Sequence, residues 1–401
     1  MLFKKSKKEE EKKLELLYPE NVRVGCKADA KENVIRAVGQ MLVDTGYVGQ
    51  AYVDAMVKRE ESFSTFMGNE LALPHGVEEA QKDVKRRRRI MIVTVTMNPA
   101  IDKTVEIDSL ERGGLNRISH VEIDAGGKGI NVSKTIHELG GQSIAVGFIA
   151  GSTGKMIRSV MDEWQIENDF IEVSGETRTN TKVFEKTGEL TELNEPGPVV
   201  DEKDVQALFE KIERYAEPDT LFVLAGSVPK GVNKDIYREI IKLAHGKGAK
   251  VLLDADGELF TKALEAEPDM IKPNKVELEQ YADMDYIASE QELISVAEKL
   301  MEQGIGAIAV SMGKSGAMFL WKDYKVRCPG LKVKAHSAVG AGDAMVAALS
   351  YSWSEGLSQE DTVKMCMAVS AGAVTTVGTK PPAKKSVDAL FEQVVIEKLK
   401  S

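Results

Sequence analysis

The sequence predicts an α/β protein: a domain with a mostly parallel central sheet and a small exposed sheet that could form a lid, preceded by a shorter α/β segment. Three observations carry that prediction. From Met91 onward, apolar runs of strand length alternate with stretches of helical periodicity, the rhythm of consecutive strand-helix units. Soon after the first run, Thr104–Ile107 and Ile118–Ile123 alternate polar and apolar residues, as strands of a small exposed sheet do. Composition also breaks near residue 89. Residues 1–89 carry 18 basic and 15 acidic side chains, which leaves 35 basic against 48 acidic for residues 90–401. The expected domains are therefore 1–89, including a basic linker, and 90–401.

At 401 residues, 43% hydrophobic and 29% charged, the chain has enough material for two packed cores. Its net charge of −10 argues against a nucleic-acid partner, because an acidic body repels a phosphate backbone. The basic run Lys85–Arg89 has no interleaved aromatic residue and lies at the composition break, so it reads as a solvated linker. No apolar run approaches bilayer length, and Met1-Leu2-Phe3-Lys4-Lys5 leads into charge rather than a signal core. A cytoplasmic protein without a membrane partner is expected. Cys26, Cys328 and Cys366 lack disulfide or metal spacing and are expected to be packing residues.

In the first segment, Asn33–Leu42 and Gln50–Glu60 repeat apolar residues at helical spacing. The motif Ala72-Leu73-Pro74-His75-Gly76 follows. A histidine between Pro and Gly presents its imidazole on a tight turn, which suits phosphoryl uptake, though on chemistry alone a surface turn with no task is the better reading.

The second region is taken in order. Ile90–Thr96 is predicted to be a buried strand, and Asn98-Pro99-Ala100-Ile101-Asp102 puts Asp102 at its end, as a sugar ligand or a plain turn aspartate. Asp124–Val132 follows the exposed strands, with Gly126, Gly127, Lys128 and Asn131 offering bare backbone, a cation and an amide before a helix. The glycine spacing is not that of a P-loop. In Thr177–Val183, alternation sets Arg178, Asn180 and Lys182 on one face, where they could clamp a phosphate or face solvent. Further strands are expected at 143–148, 220–224, 250–253, 270–272, 307–311 and 317–320, with helices at 202–213, 234–245 and 291–303. Asn274 and Glu277 in Lys272–Glu277 suit a hydrated Mg²⁺ or a helix cap. Finally Gly340-Ala341-Gly342-Asp343 runs into the helical Ala344–Leu349. Free amides at a helix start attract an anion, and Asp343 could take a proton from a hydroxyl or simply cap the turn.

Asp124–Val132 together with Gly340-Ala341-Gly342-Asp343 resembles the phosphofructokinase B branch of the ribokinase-like sugar kinases, and the likeness runs from about Met91 to the end. Asn98–Asp102 and Asn194-Glu195-Pro196-Gly197-Pro198 are most similar to the fructose-1-phosphate and tagatose-6-phosphate kinases. The resemblance implies a ribokinase-like three-layer fold with helices on both faces of the sheet, a small β-lid that closes over the sugar and builds a homodimer, and ATP with Mg²⁺ as cofactors. It makes Asp343 the base, the Gly340–Gly342 backbone the anion cradle, and Asp102, Gly126, Gly127, Lys128, Asn131, Arg178, Asn180 and Lys182 the sugar-phosphate ligands. Ser227, Ser311, Gly313 and Gly316 fall to the nucleotide, and Asn274 and Glu277 to Mg²⁺ through water. Ala338 departs from the family, which has Thr or Ser there. The implied reaction turns fructose 1-phosphate and ATP into fructose 1,6-bisphosphate and ADP, with tagatose 6-phosphate or fructose 6-phosphate as alternative substrates. A sugar-phosphate-binding protein without catalysis is disfavoured because Asp343, Asn274 and Glu277 are all retained. Residues 14–85 resemble enzyme IIA of the mannitol/fructose class of the sugar phosphotransferase system, through Arg59-Glu60-Glu61, Met67-Gly68-Asn69 and Ala72–Gly76. That implies a phosphohistidine at His75, Arg59 beside it, and a phosphotransferase-system carrier protein as partner. The family's domain continues well past this motif, so a truncated fusion remnant is expected.

Overall fold

Helical spacing of apolar residues is realised twice in the first unit, as α1 (Lys31–Asp44) and α2 (Gln50–Ser62), which bury Ile35, Met56 and Val57 against each other. Two short antiparallel strands follow, β1 (Phe66–Gly68) and β2 (Leu71–Ala72). The computed structural model describes residues 30–44, 48–62, 66–68, 71–72, 90–336 and 339–399. Cys26, His75, the linker Lys85–Arg89 and Ala338 lie outside the described residues. The chain forms two compact units, Met1–Arg89 and Ile90–Ser401.

The second unit starts with β3 (Met91–Thr96), then makes the lid strands β4 (Ala100–Ile107) and β5 (His120–Gly126) before α3 (Lys128–Glu138). Next come β6 (Ile144–Ala150), α4 (Gly151–Glu163), β7 (Glu167–Asn168) and β8 (Ile171–Val173), followed by the lid strands β9 (Arg178–Glu185) and β10 (Leu190–Asn194). The chain then alternates: α5 (Glu202–Tyr215), β11 (Thr220–Ala225), α6 (Ile236–Gly246), β12 (Lys250–Asp254), α7 (Gly257–Leu264), β13 (Met270–Ile271), α8 (Lys275–Tyr281), α9 (Glu290–Glu302) and β14 (Ala307–Ser311). It closes with β15 (Ala317–Trp321), β16 (Tyr324–Cys328), α10 (Ala341–Glu355), α11 (Gln359–Ala373), α12 (Lys384–Phe391) and β17 (Glu397–Lys398).

The main sheet runs β17-β16-β15-β14-β13-β12-β11-β3-β6-β7, with β8 also pairing β6. Its body from β14 to β7 is parallel, and the β15–β17 edge is antiparallel. Strands covered on both faces have no wet side, which is why β11 and β6 read as unbroken apolar runs. One core packs α5, α6, α7 and α9 against one face, through Leu208, Tyr237, Phe260 and Leu293. The other packs α3, α10 and α11 on the opposite face, through Ile136, Val346 and Val363.

The lid is a four-stranded sheet, β10-β9-β4-β5, in which β4 pairs β9 in parallel and β5 antiparallel. Asp102 differs from expectation. It is the third residue of β4 rather than the end of the preceding strand, and it sits opposite both Asp124 of β5 and Asn180 of β9. The turn at Met97–Pro99 is short enough for the chain to start the lid at once. Cys328 and Cys366 are buried and unpaired with each other. No helix among the described residues is long and apolar enough to cross a membrane.

Candidate active site

Parallel strands deliver their carboxyl ends to one edge of the sheet, and the polar residues meet there. Lys128, the first residue of α3, stands with Nζ 3.1 Å from Oδ2 of Asp254 at the end of β12. Lys272, just past β13, stands 3.2 Å from the other oxygen. Asp254 is only 1% exposed, and its two contacts are ion pairs rather than well-directed hydrogen bonds. Burial by itself would raise its pKa, but Lys272 and Lys128 together hold it below the usual carboxylate range. The converse holds for Lys128. Burial works against its charge, yet Asp254, Asp343 and Glu277 keep the ammonium protonated well above its ordinary range.

Asp343 lies in the first turn of α10, half-buried, and its Oδ2 accepts a 2.8 Å hydrogen bond from Asn131 Nδ2 on α3. Desolvation and the nearby Asp254 push its pKa up to about 6, against the opposing pull of Lys128, Asn131 and Lys272. A carboxylate so placed is a usable base near neutral pH. The cap residue Gly340 is left-handed, with φ of 84°, which a side chain would resist. It supplies no capping side chain, so the amides of Ala341 and Gly342 are presented at the positive end of the helix. The Lys272 ammonium lies beneath that turn: a Cβ added to Gly342 would come within 3.6 Å of it.

On the lid side, Lys182 Nζ is 3.1 Å from Asp102 Oδ2, and Asn180 Nδ2 is 3.4 Å from Asp102 Oδ1. Gly126 permits this arrangement, since a Cβ there would meet the Asp102 carboxylate at 2.5 Å. A cleft opens beside them, lined by Asp102, Glu122, Asp124, Lys182, Thr379 and Lys380 among others. Lys380 pairs with Glu122 across its mouth. Buried oxygens of Asn131, Asn180 and Thr379 have no hydrogen-bond partner, a shortage that a polyhydroxy ligand would relieve. Arg178 donates from Nε and Nη2 to the Asn98 carbonyl, at 3.2 and 2.9 Å, and from Nη1 to that of Glu195. Gly127 is the N-cap of α3.

Asn274 and Glu277 form a full capping box on α8: Asn274 Oδ1 accepts from the Glu277 amide and Glu277 Oε2 from the Asn274 amide, at 2.9 and 2.8 Å. The cap anticipated as the alternative is therefore present, and it leaves Glu277 Oε1 over. No three His, Cys, Asp or Glu residues among the described ones converge closely enough to hold a metal directly. The spare Oε1 of Glu277 is chemically suited to a hydrated Mg²⁺, which prefers contact through its own waters. Ser311 bridges to Asn274 at the end of β14, Gly313 and Gly316 make the following turn, and Ser227 follows Gly226 at the end of β11. The expected groups thus lie along one sheet edge and the adjoining lid. Asp254 and Lys272 were missed. Asp254 had a signal, an aspartate closing the apolar run Val251-Leu252-Leu253, but nothing local tells which lysines it faces.

Residues 87–386 match the pfkB family carbohydrate kinase model, and residues 15–106 match the phosphoenolpyruvate-dependent sugar phosphotransferase system EIIA 2 model. The chain is 36% identical over 312 residues to the 1-phosphofructokinase of Bacillus subtilis, covering 77% of this chain and all of that one. It is 31% identical over 308 residues to the 1-phosphofructokinase of Vibrio cholerae, covering 77% and 97%. The crystal structure of phosphofructokinase-2 from Escherichia coli in complex with substrates and products superimposes with a TM-score of 0.73 at 26% identity, covering 76% of this chain and 99% of that one. The layered sheet and lid are the ribokinase-like arrangement.

Proposed function

Since the chain belongs to the pfkB family of carbohydrate kinases, we propose that it transfers the γ-phosphoryl group of ATP to the C6 hydroxyl of fructose 1-phosphate, yielding fructose 1,6-bisphosphate and ADP. The observation that carries the reading is the meeting of Asp343, pushed up to about 6, with an uncapped helix start and two lysines at one sheet edge. Asp343 takes the hydroxyl proton as the C6 oxygen attacks the γ-phosphorus, and the bond to the β-γ bridging oxygen breaks in line. Amides of Ala341 and Gly342 and the lysines Lys128 and Lys272 offset charge on the transferring group. Asn131 orients the base. Asp102 and the lid hold the sugar's hydroxyls, and Arg178, Asn180 and Lys182 hold the phosphate it already carries. Glu277, whose Oε1 is left over from the cap, would hold Mg²⁺ through water; when bound, the ion neutralises phosphate oxygens of the nucleotide.

The outer face of the lid supports pairing with a second copy. Val121 and Ile123 of β5 and Leu193 of β10 are exposed there, and register sets them on the side away from Asp102 and Lys182. A coupled ADP-release assay across fructose 1-phosphate, tagatose 6-phosphate and fructose 6-phosphate tests the substrate. The highest kcat/KM is expected for fructose 1-phosphate, and a preference for either other sugar would replace this reading. A second reading, phosphoryl uptake at His75 from a carrier protein, rests on the match over residues 15–106. Acid-labile labelling of His75 by phosphorylated carrier tests it.

A further inference from the structure

Glu176 lies two residues before Arg178, and its carboxylate sits on the start of α4. It accepts from the amides of Ser152 and Thr153 at 3.1 and 3.2 Å, and from the Ser152 hydroxyl at 3.2 Å. The Thr153 hydroxyl is 2.9 Å away. These backbone and hydroxyl donors hold its pKa below the usual carboxylate range, so it is charged throughout the neutral region. The fit is close. Gly151 is left-handed at φ of 62°, and a Cβ there would come within 2.1 Å of the Glu176 carboxyl carbon. Thr177 is tied into the same knot. Its amide donates to the Ala150 carbonyl at 3.0 Å, its hydroxyl accepts from the Ala150 amide at 2.7 Å, and its carbonyl lies 2.7 Å from the Thr153 hydroxyl. The proton of that hydroxyl is thus shared between Glu176 and Thr177.

The consequence concerns the next residue. Arg178 opens β9, and its guanidinium must reach a phosphate carried by the sugar while its backbone belongs to the lid. The knot fixes the point from which the side chain leaves. It fastens β9 to the end of β6, a strand of the rigid sheet, just as the Asn98 and Glu195 carbonyls fix the far end of the guanidinium. Glu176 makes its hydrogen bonds to the start of α4, so any effect it has on the sugar acts through the clamp. We propose that Glu176 is a positioning residue for the phosphate clamp, setting Arg178 against the body of the protein. This rests on the reading that Arg178 binds the sugar's own phosphate.

The test uses the full chain in four forms: wild type, Glu176→Ala, Arg178→Ala and the double variant, with KM measured separately for fructose 1-phosphate and ATP. Glu176→Ala is expected to raise the sugar KM about three- to tenfold, with the ATP KM within about twofold of wild type. The double variant should be no worse than Arg178→Ala alone, because a positioning residue has nothing left to position. Glu176→Gln keeps one acceptor and should fall between wild type and Glu176→Ala, which guards against a variant that merely folds poorly. An unchanged sugar KM in a folded Glu176→Ala, equal rises for sugar and ATP, or fully multiplicative effects in the double variant would overturn the proposal. If instead Arg178→Ala itself leaves the sugar KM unchanged, the clamp reading fails, and the positioning role fails with it; the single variants separate the two cases.

Discussion

Replacing Asp343 by Asn should make the protein slower and more stable at once. The ordinary aspartate pKa of 3.8 is pushed up to about 6 in the folded chain, first by desolvation and then by Asp254. At about 1.36 kcal/mol per pH unit, that gap corresponds to roughly 3 kcal/mol of unfavourable charge. Asp343 is partly open to solvent, so about 1–2 kcal/mol is the effect expected. The sign follows from linkage: a folded pKa above the unfolded one means the carboxylate costs stability above about pH 6, and the cost fades as pH falls towards the unfolded value. The Asn side chain retains an oxygen that can accept from Asn131, so little hydrogen bonding is lost. Urea unfolding at pH 8 should therefore show the variant more stable than wild type, with the advantage shrinking by pH 5. Loss of the base should lower kcat by about 10²–10⁴ while both substrates still bind. Turnover within tenfold of wild type, or a variant less stable at pH 8, would refute this account of the site.

The acid limb of kcat/KM for the wild-type protein should fall near pH 6, where Asp343 takes up its proton. Asp254→Asn removes the neighbouring charge that raises Asp343, so the limb should move to lower pH even as kcat falls; a limb that stays or rises would separate the two carboxylates. Glu277→Gln should raise the Mg²⁺ concentration for half-maximal activity by about five- to tenfold, the worth of one charge-assisted contact through water, as read from a metal titration at saturating nucleotide. Ile123→Asp with Leu193→Asp places two charges on the apolar outer lid and should turn a dimer into a monomer in sedimentation; a wild-type monomer at micromolar concentration would remove the lid interface.

How much was legible can be judged residue by residue. The glycine loop before α3, the cradle before α10 and the alternating lid strands were readable because each is a short-range matter. A left-handed glycine, a helix start and a period of two are set by neighbours in the chain. Asp102 was misplaced by a few residues, since nothing in Asn98–Asp102 reveals that the lid begins at once. Asn274 and Glu277 suit both a cap and a metal site in sequence, and only the folded chain shows that the cap is made.

By itself, then, the sequence determined the layered fold and the family likeness. Only the tertiary structure decided which charges face one another. Asp254, Lys128 and Lys272 come from the end of one strand, the start of a helix and the end of another strand. Their meeting, and the pKa of Asp343 that depends on it, is fixed by the side-by-side order β3-β11-β12-β13. Electrostatic energy depends on distance through space and on burial, and neither is written in the spacing of residues along a chain.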